Sequence, residues 1–201
     1  MSEFTPTRSA VIGLKEERRA MQEGYVFLDE KCLLLAAAML RELKHYGQTN
    51  VALRTLLACA GKALADSVSR HGLQDLQCCT APGSAPMSLQ TRQHTLMSVP
   101  LVDATATRET LEVTEPVYPS PEVRACRDAF AALTAHLAVV AAIAGNLQRL
   151  HREYRKSVRR VRALQDVLLP ELDRDLYQIE TQLDELERDE ALGARWGRQR
   201  D

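Results

Sequence analysis

Three groupings of residues in this chain are of the types that do chemistry. The first is thiol and imidazole: Cys78 and Cys79 are adjacent, with His71 and His94 nearby in sequence. Zinc takes such ligands as pairs separated by two or more residues, so that both side chains can turn toward one ion. Adjacent cysteines do not have that spacing, and no metal site is predicted. The second is a phosphate cradle. Gly61-Lys62 is the only Gly-Lys pair, but Leu56 stands where the first loop glycine belongs and Ala63 where the Ser or Thr belongs. The third is acid–base work by paired carboxylates. Glu16 with Glu17, and Asp184 with Glu185, are neighbours in sequence, and neighbours on a helix point to different faces. Neither a His-Glu-x-x-His run nor a Gly-x-Ser-x-Gly elbow is present. A narrow rod of helices also offers no concave pocket in which to shift a pKa. The expectation is a chain without catalytic residues, cofactor or metal of its own.

Composition narrows the class. The chain has 201 residues, a formal net charge of −1, one Trp and three Phe. Scarce aromatics suit a narrow helix seam filled by Leu, Ala and Val better than a wide globular core. The charge balance argues against general nucleic-acid binding, which needs a strong positive field. Five cysteines (Cys32, Cys59, Cys78, Cys79 and Cys126) without framework spacing suggest a reducing compartment. The opening MSEFTPTRSA contains no apolar signal region. The most apolar run, Ala129 to Gly145, contains Thr134 and His136 and falls short of about 20 residues, which predicts no membrane span.

The elements that position everything else are two long helices. From Pro121 to about Ala191, apolar residues recur at gaps of three or four, including Leu164, Leu168, Leu172, Leu176, Ile179, Leu183 and Leu186. Ser120 offers an N-cap oxygen and Pro121 suits the first helical position. Fully helical, this stretch is roughly 105 Å long, too long for a compact domain, so its stripe needs a partner. Pro170 sits inside it, where a proline removes a donor and predicts a kink. The partner lies near the N-terminus. Leu14, Met21, Leu28 and Leu35 form one seven-residue series, and Val11, Tyr25, Cys32 and Met39 the other, with Arg18 in the missing slot. Thr5-Pro6 reads as a helix start, Gly72 as a stop, and Gly47 as a point of bending or fraying. Matching the two series antiparallel gives paired residue numbers that sum to roughly 200, which sets Leu14 near Leu186, Met21 near Ile179 and Leu28 near Leu172.

The fold expected is mainly α: a long antiparallel two-helix coiled coil with a small β-hairpin and loop between its helices. Its parts are a first helix over 1–72, a Pro-rich segment over 73–120 and a second helix over 121–201. Within the middle segment, Cys78 to Ser88 reads as a loop. Thr95 to Val102 and Thr110 to Thr114 read as the two strands, joined by Asp103 to Arg108, with Pro100 on an edge. Charge is uneven along the second helix. Arg149, Arg152, Arg155, Lys156, Arg159, Arg160 and Arg162 form a basic run, Glu180 to Glu190 is acidic, and Arg195, Trp196, Arg198 and Arg200 close the chain. Such a basic run is either a solvated face or a partner surface.

Several of these residues resemble a known family. Pro6-Thr7-Arg8-Ser9-Ala10, Leu14-Lys15, Gly24-Tyr25 and Leu28-Asp29-Glu30-Lys31 at one end are similar to the D-subunit family of V/A-type ATP synthases. So are Arg159-Arg160-Val161-Arg162-Ala163-Leu164 and Val167-Leu168-Leu169-Pro170 at the other. Leu96 to Val102 resembles that family's short β segment, whereas Cys78-Cys79 and the Pro-rich loop depart from it. The resemblance implies a central rotor shaft whose paired ends enter a ring of A and B subunits. It implies an F subunit alongside and the stalk's C subunit at the other end, above the membrane rotor ring. It further implies torque coupling ATP synthesis or hydrolysis to movement of protons or sodium ions, at the cytoplasmic face of the membrane and without a membrane span. The coiled-coil seam read from the apolar series comprises Leu14, Met21, Tyr25, Leu28, Cys32, Leu35, Leu164, Leu168, Leu172, Leu176, Ile179, Leu183 and Leu186. A coiled-coil export chaperone and a homo-oligomeric structural coiled coil are the other readings of the pattern.

Overall fold

A computed structural model describes residues 6–78, 87–108 and 120–198. The chain is mainly helical, with a long N-terminal helix, a long C-terminal helical run and a two-stranded hairpin between them, as the sequence predicts. The elements are α1 (Arg8–Cys78), β1 (Met87–Leu96), β2 (Val99–Arg108), α2 (Pro121–Ala163), a π-helical turn (Leu164–Leu168) and α3 (Leu169–Arg198). Contacts divide the chain into two compact units. The first joins the residues up to Leu34 with those from Tyr154 onward, and the second is Leu35–Glu153.

Local chemistry sets the helix ends. Thr7 caps α1: its Oγ1 accepts from Ala10 N at 3.2 Å and its carbonyl from Val11 N, also at 3.2 Å, while Thr5 of the expected Thr5-Pro6 start lies outside the described residues. Ser120 caps α2, accepting from Val123 N at 3.4 Å through Oγ and from Arg124 N at 3.1 Å through its carbonyl. Helix α1 passes Gly47 without a break. Just beyond it, the Thr49 hydroxyl donates back to the carbonyls of His45 and Tyr46. Gly72 leaves the helical region at φ 74 and ψ 164, but helix resumes and runs to Cys78. The stop expected at Gly72 is therefore a kink, in a left-handed conformation that only glycine adopts freely.

Pro170 lies at the second position of α3, and the turn before it is widened rather than broken. Leu169 N donates to Leu164 O, five residues back, which makes room next to a residue that has no N–H to give. The extra residue also corrects the stripe. At about 100° per residue, Leu176 would lie roughly 100° round from Ser157 on an unbroken α-helix. One inserted residue brings the two into line, and both are buried.

In the unit Leu35–Glu153, α1 and α2 run antiparallel. His136 Nε2 donates to Thr49 O at 2.9 Å, and Ser67 Oγ donates to Glu122 O at 3.0 Å. Leu35, Ala60, Leu133, Val140, Ile143 and Leu150 are buried along their faces. Small residues such as Ala60 and Ser67, both 0% exposed, let two helices approach closely. The helical run from Pro121 to Gly193 contains an 18-residue window of mean hydropathy 1.8, long and apolar enough to cross a membrane. By that criterion the sequence reading of Ala129 to Gly145 as too short needs correcting. The polar groups of this helix, His136 and Asn146, are nonetheless met by protein partners.

The hairpin also departs from expectation. Its turn is Met97-Ser98, and its strands pair antiparallel from Leu96 with Val99 out to Met87 with Arg108. Asp103 to Arg108, expected as the connection, is strand, and Met87-Ser88, expected in the loop, opens β1. Thr110 to Thr114, Cys79 and most of the Pro-rich loop lie outside the described residues. Met97 and Ser98 have φ of 47 and 68, the positive values that match strand twist in two-residue hairpins. No Asn-Gly marks the turn, so nothing in the sequence announced it. Pro100 pairs with Thr95. Counting outward from the turn, that pair is not hydrogen-bonded, so the missing N–H costs the ladder nothing.

Candidate functional site: the helix seam, the hairpin clamp and the α2 cap

In the unit that joins the two chain ends, Val11 and Leu14 of α1 share a buried cluster with Leu176 and Ile179 of α3, and Leu172 packs against it. Ion pairs flank the seam. Arg8 Nη2 meets Glu187 Oε1 at 2.7 Å, Lys15 Nζ meets Glu180 Oε1 at 2.7 Å, and Arg18 pairs with Asp173. Residue numbers rise on α1 as they fall on α3, so the helices are antiparallel. The register differs from the sequence expectation by about one heptad: Leu14 meets Ile179 where Leu186 was expected. Apolar heptads match equally well after a slip of seven, so the stripes alone leave the register open. Hydrogen bonds from Arg8 to Glu187 and from Arg18 to Asp173, followed by the charge attraction of each pair, raise both guanidinium pKa values.

The expected seam residues are distributed as follows. Leu14, Cys32, Leu35, Leu176 and Ile179 are buried, and Met21, Tyr25, Leu28, Leu164, Leu172 and Leu183 are half-buried. Leu168 and Leu186 are 39% and 47% exposed. Leu168 is the last residue of the π turn, and Leu186 adjoins Glu187, which already reaches the first residue of α1. Burial, and then the nearby Asp29 charge, raises the Cys32 thiol pKa, so this cysteine behaves as a small apolar residue. An open groove of about 580 Å³ beside the seam is lined by Lys15, Arg18, Asp173 and Glu180 among others. Its cations are paired with its own carboxylates, so it holds little charge for a ligand.

In the other unit, Asn146 of α2 clamps the hairpin. Its Oδ1 accepts from Val102 N at 2.8 Å, and its Nδ2 donates to Val102 O at 3.0 Å. Val102, like Pro100, occupies a pair whose polar groups face away from β1, so the carboxamide meets them as a third strand would. Arg149 Nη1 donates to the same Oδ1 at 2.9 Å, and Asn146 is 2% exposed. Val99 and Leu101, each 4% exposed, anchor this end of the hairpin. The sequence reading passed over Asn146. The signal was there, because Ile143, Asn146 and Leu150 keep core spacing and one of the three is polar.

A second polar cluster joins α1 to the start of α2. His71 Nε2 lies 2.7 Å from Ser120 Oγ, Ser120 Oγ donates to Glu122 Oε2 at 3.0 Å, and Arg70 Nη1 reaches Glu122 Oε1 at 2.9 Å. These residue types also build hydrolases, but the roles do not fit. The single serine proton goes to the carboxylate, so His71 must donate to the serine and takes no proton from it. The cluster is a cap. A bond from its own backbone N–H, then the Ser120 bond and the Arg70 and His71 charges, hold the Glu122 carboxyl below its ordinary range against the opposing effect of burial. Among the described residues, no group of three or more His, Cys, Asp or Glu side chains is placed to hold a metal. His94 instead faces Asp103 at 3.5 Å.

A scan of family models matches that of the ATP synthase D subunit over residues 10–195. The chain therefore belongs to the ATP synthase D-subunit family, a non-catalytic part of a membrane-associated complex. A search of curated proteins gave no match.

Proposed function

We propose that this chain is the central shaft of a rotary ATP synthase of the V/A type. In this reading its paired ends enter a ring of alternating A and B subunits, the F subunit lies alongside, and the C subunit of the stalk joins the other end to the membrane rotor. The shaft transmits torque and so couples ATP synthesis or hydrolysis to proton or sodium transport at the cytoplasmic face of the membrane, with no span of its own. The observation that carries the proposal is the family match over nearly the whole chain together with an antiparallel helix pair in each unit. Coiled-coil stiffness, the seam residues, a kink near Pro170 and the three-part division at 72 and 120 belong to the same proposal.

A shaft works through shape and many weak contacts, so no single exposed charge is indispensable. Arg195→Ala is expected to keep most ATP-driven ion pumping. Deleting the chain from Leu183 onward removes Glu187 from Arg8 and shortens the helix pair. The truncated complex is expected to retain part of its ATP hydrolysis and lose more of its coupled pumping, both measured in reconstituted vesicles. Full pumping by the truncated chain, or loss of hydrolysis from one charge substitution in an intact complex, would refute the proposal.

A further inference from the structure

We infer that Arg155, Lys156, Arg159, Arg160 and Arg162 form a docking face for a carboxylate-rich protein surface on a neighbouring subunit. All five are exposed, and all lie near the end of α2 within the unit that joins the chain ends. At about 100° per residue, Arg155, Arg159 and Arg162 fall roughly 140–200° round from the buried Ser157, on the side of the helix away from the seam. Lys156 and Arg160 lie nearer the seam, roughly 100° and 60° from Ser157 and both on one side of it.

Among the described residues, cations without a carboxylate partner occur elsewhere in this unit, Arg174 and Arg188 among them, but these five lie within eight consecutive positions that contain no acidic residue. Arg8, Lys15, Arg18 and Arg19 each have a carboxylate partner. Among the described residues, none of the five has one, and Arg159 Nε donates only to the Arg155 carbonyl, at 3.3 Å. They also repel one another. Arg155 with Arg159 and Lys156 with Arg160 are i,i+4 pairs of like charge, and Lys156 with Arg159 and Arg159 with Arg162 are i,i+3 pairs. Such pairs weaken a helix. The helix dipole does not offset this, because the helical path continues through the π turn into α3 and the last carbonyls are not free.

A surface that opposes its own helix is relieved by carboxylates from outside. Four of the five cations are arginines, which grip carboxylates in bidentate fashion. A net charge of −1 gives no long-range attraction to nucleic acid. No large apolar side chain lies among the five for insertion into a bilayer. An acidic protein surface is the occupant these features fit. The inference rests on the shaft reading only in placing that surface on the other components of the complex.

Lys156 makes the test specific, because it is the only lysine after Lys62. Zero-length carbodiimide coupling of the purified complex, followed by peptide mass spectrometry, should join Lys156 to an Asp or Glu of another subunit. The Lys15–Glu180 pair should couple within the chain and serves as the internal control. Arg155→Glu with Arg159→Glu should weaken association by at least about tenfold and flatten its salt dependence, while Lys substitutions at both positions largely preserve it. An assembled complex in which Lys15 couples and Lys156 does not would overturn the docking face and leave the shaft reading standing. So would anionic vesicles or single-stranded DNA binding the complex through these five residues. A chain that joins no ATP synthase complex would remove both.

Discussion

Asn146 provides the sharpest test of how the hairpin is held. Its carboxamide makes two bonds to the backbone of Val102, at 2.8 and 3.0 Å, from a position that is 2% exposed. Each such bond contributes about 1 kcal/mol net, and water entering the space offsets part of the desolvation left behind. Asn146→Ala should therefore destabilise the hairpin's attachment by about 2 kcal/mol, which corresponds to about a 30-fold increase in local opening. Val99 and Leu101 remain buried, and the helix pairs are untouched. The amide of Val102 should exchange about 30-fold faster by NMR, while the helical signal in circular dichroism stays unchanged. Asn146→Asp separates the two bonds. Its carboxylate still accepts from Val102 N but meets Val102 O with a lone pair, so the amide stays protected while the attachment weakens. Unchanged Val102 exchange in Asn146→Ala would show that apolar contacts alone seat the hairpin.

Other expectations follow from the same geometry. Leu14→Ala should lower stability by about 2–3 kcal/mol, toward the lower end for buried leucines because two helices can close around the gap, whereas the exposed Leu186→Ala should cost under about 0.5 kcal/mol. Equal shifts in the urea midpoint would restore the register that pairs these two. Glu122→Gln should lower the melting temperature at pH 7. The folded-state pKa of Glu122 is depressed, so its contribution is present above the unfolded value of about 4.3 and is lost as pH falls through the folded one. The two melting curves should draw together as pH falls from the unfolded value through the folded one, and a gap that stays constant through that fall would contradict the cap. A Cβ on Gly72 meets nothing within 4 Å, so Gly72→Ala carries only the backbone cost of φ 74 with ψ 164, a region essentially reserved for glycine, about 1–3 kcal/mol, and Gly72→Asn should cost about as much. Equal melting temperatures for all three would mean the kink relaxes.

The helices were legible because their stripes are long: Leu14 to Leu35 and Leu164 to Ile179 repeat too often for chance. Register was less legible. Apolar residues seven apart are interchangeable, and Asp173, Glu180 and Glu187 repeat at the same interval, so stripe and charge pattern both fit neighbouring heptads. The hairpin was misplaced because its turn rests on Met97 and Ser98, which do not advertise positive φ, and because Pro100 looked like a strand limit when its N–H was never needed. Asn146 was hidden because its partner is the backbone of Val102, forty-four residues away, and a backbone group leaves no mark in sequence. Pro170 was visible, and so was the phase shift beside it. That one widened turn accommodates both was not.

The widened turn means that residue number and helix face come apart at one place. A seven-residue ruler laid from Pro121 reads the buried face correctly as far as Val161 and is one residue out after Leu168. Asp173, Glu180 and Glu187, themselves seven apart, meet α1 partners only on the corrected scale. Two chains of this design could thus carry the same helix faces with lengths that differ by one residue, the difference hidden between Leu164 and Leu168.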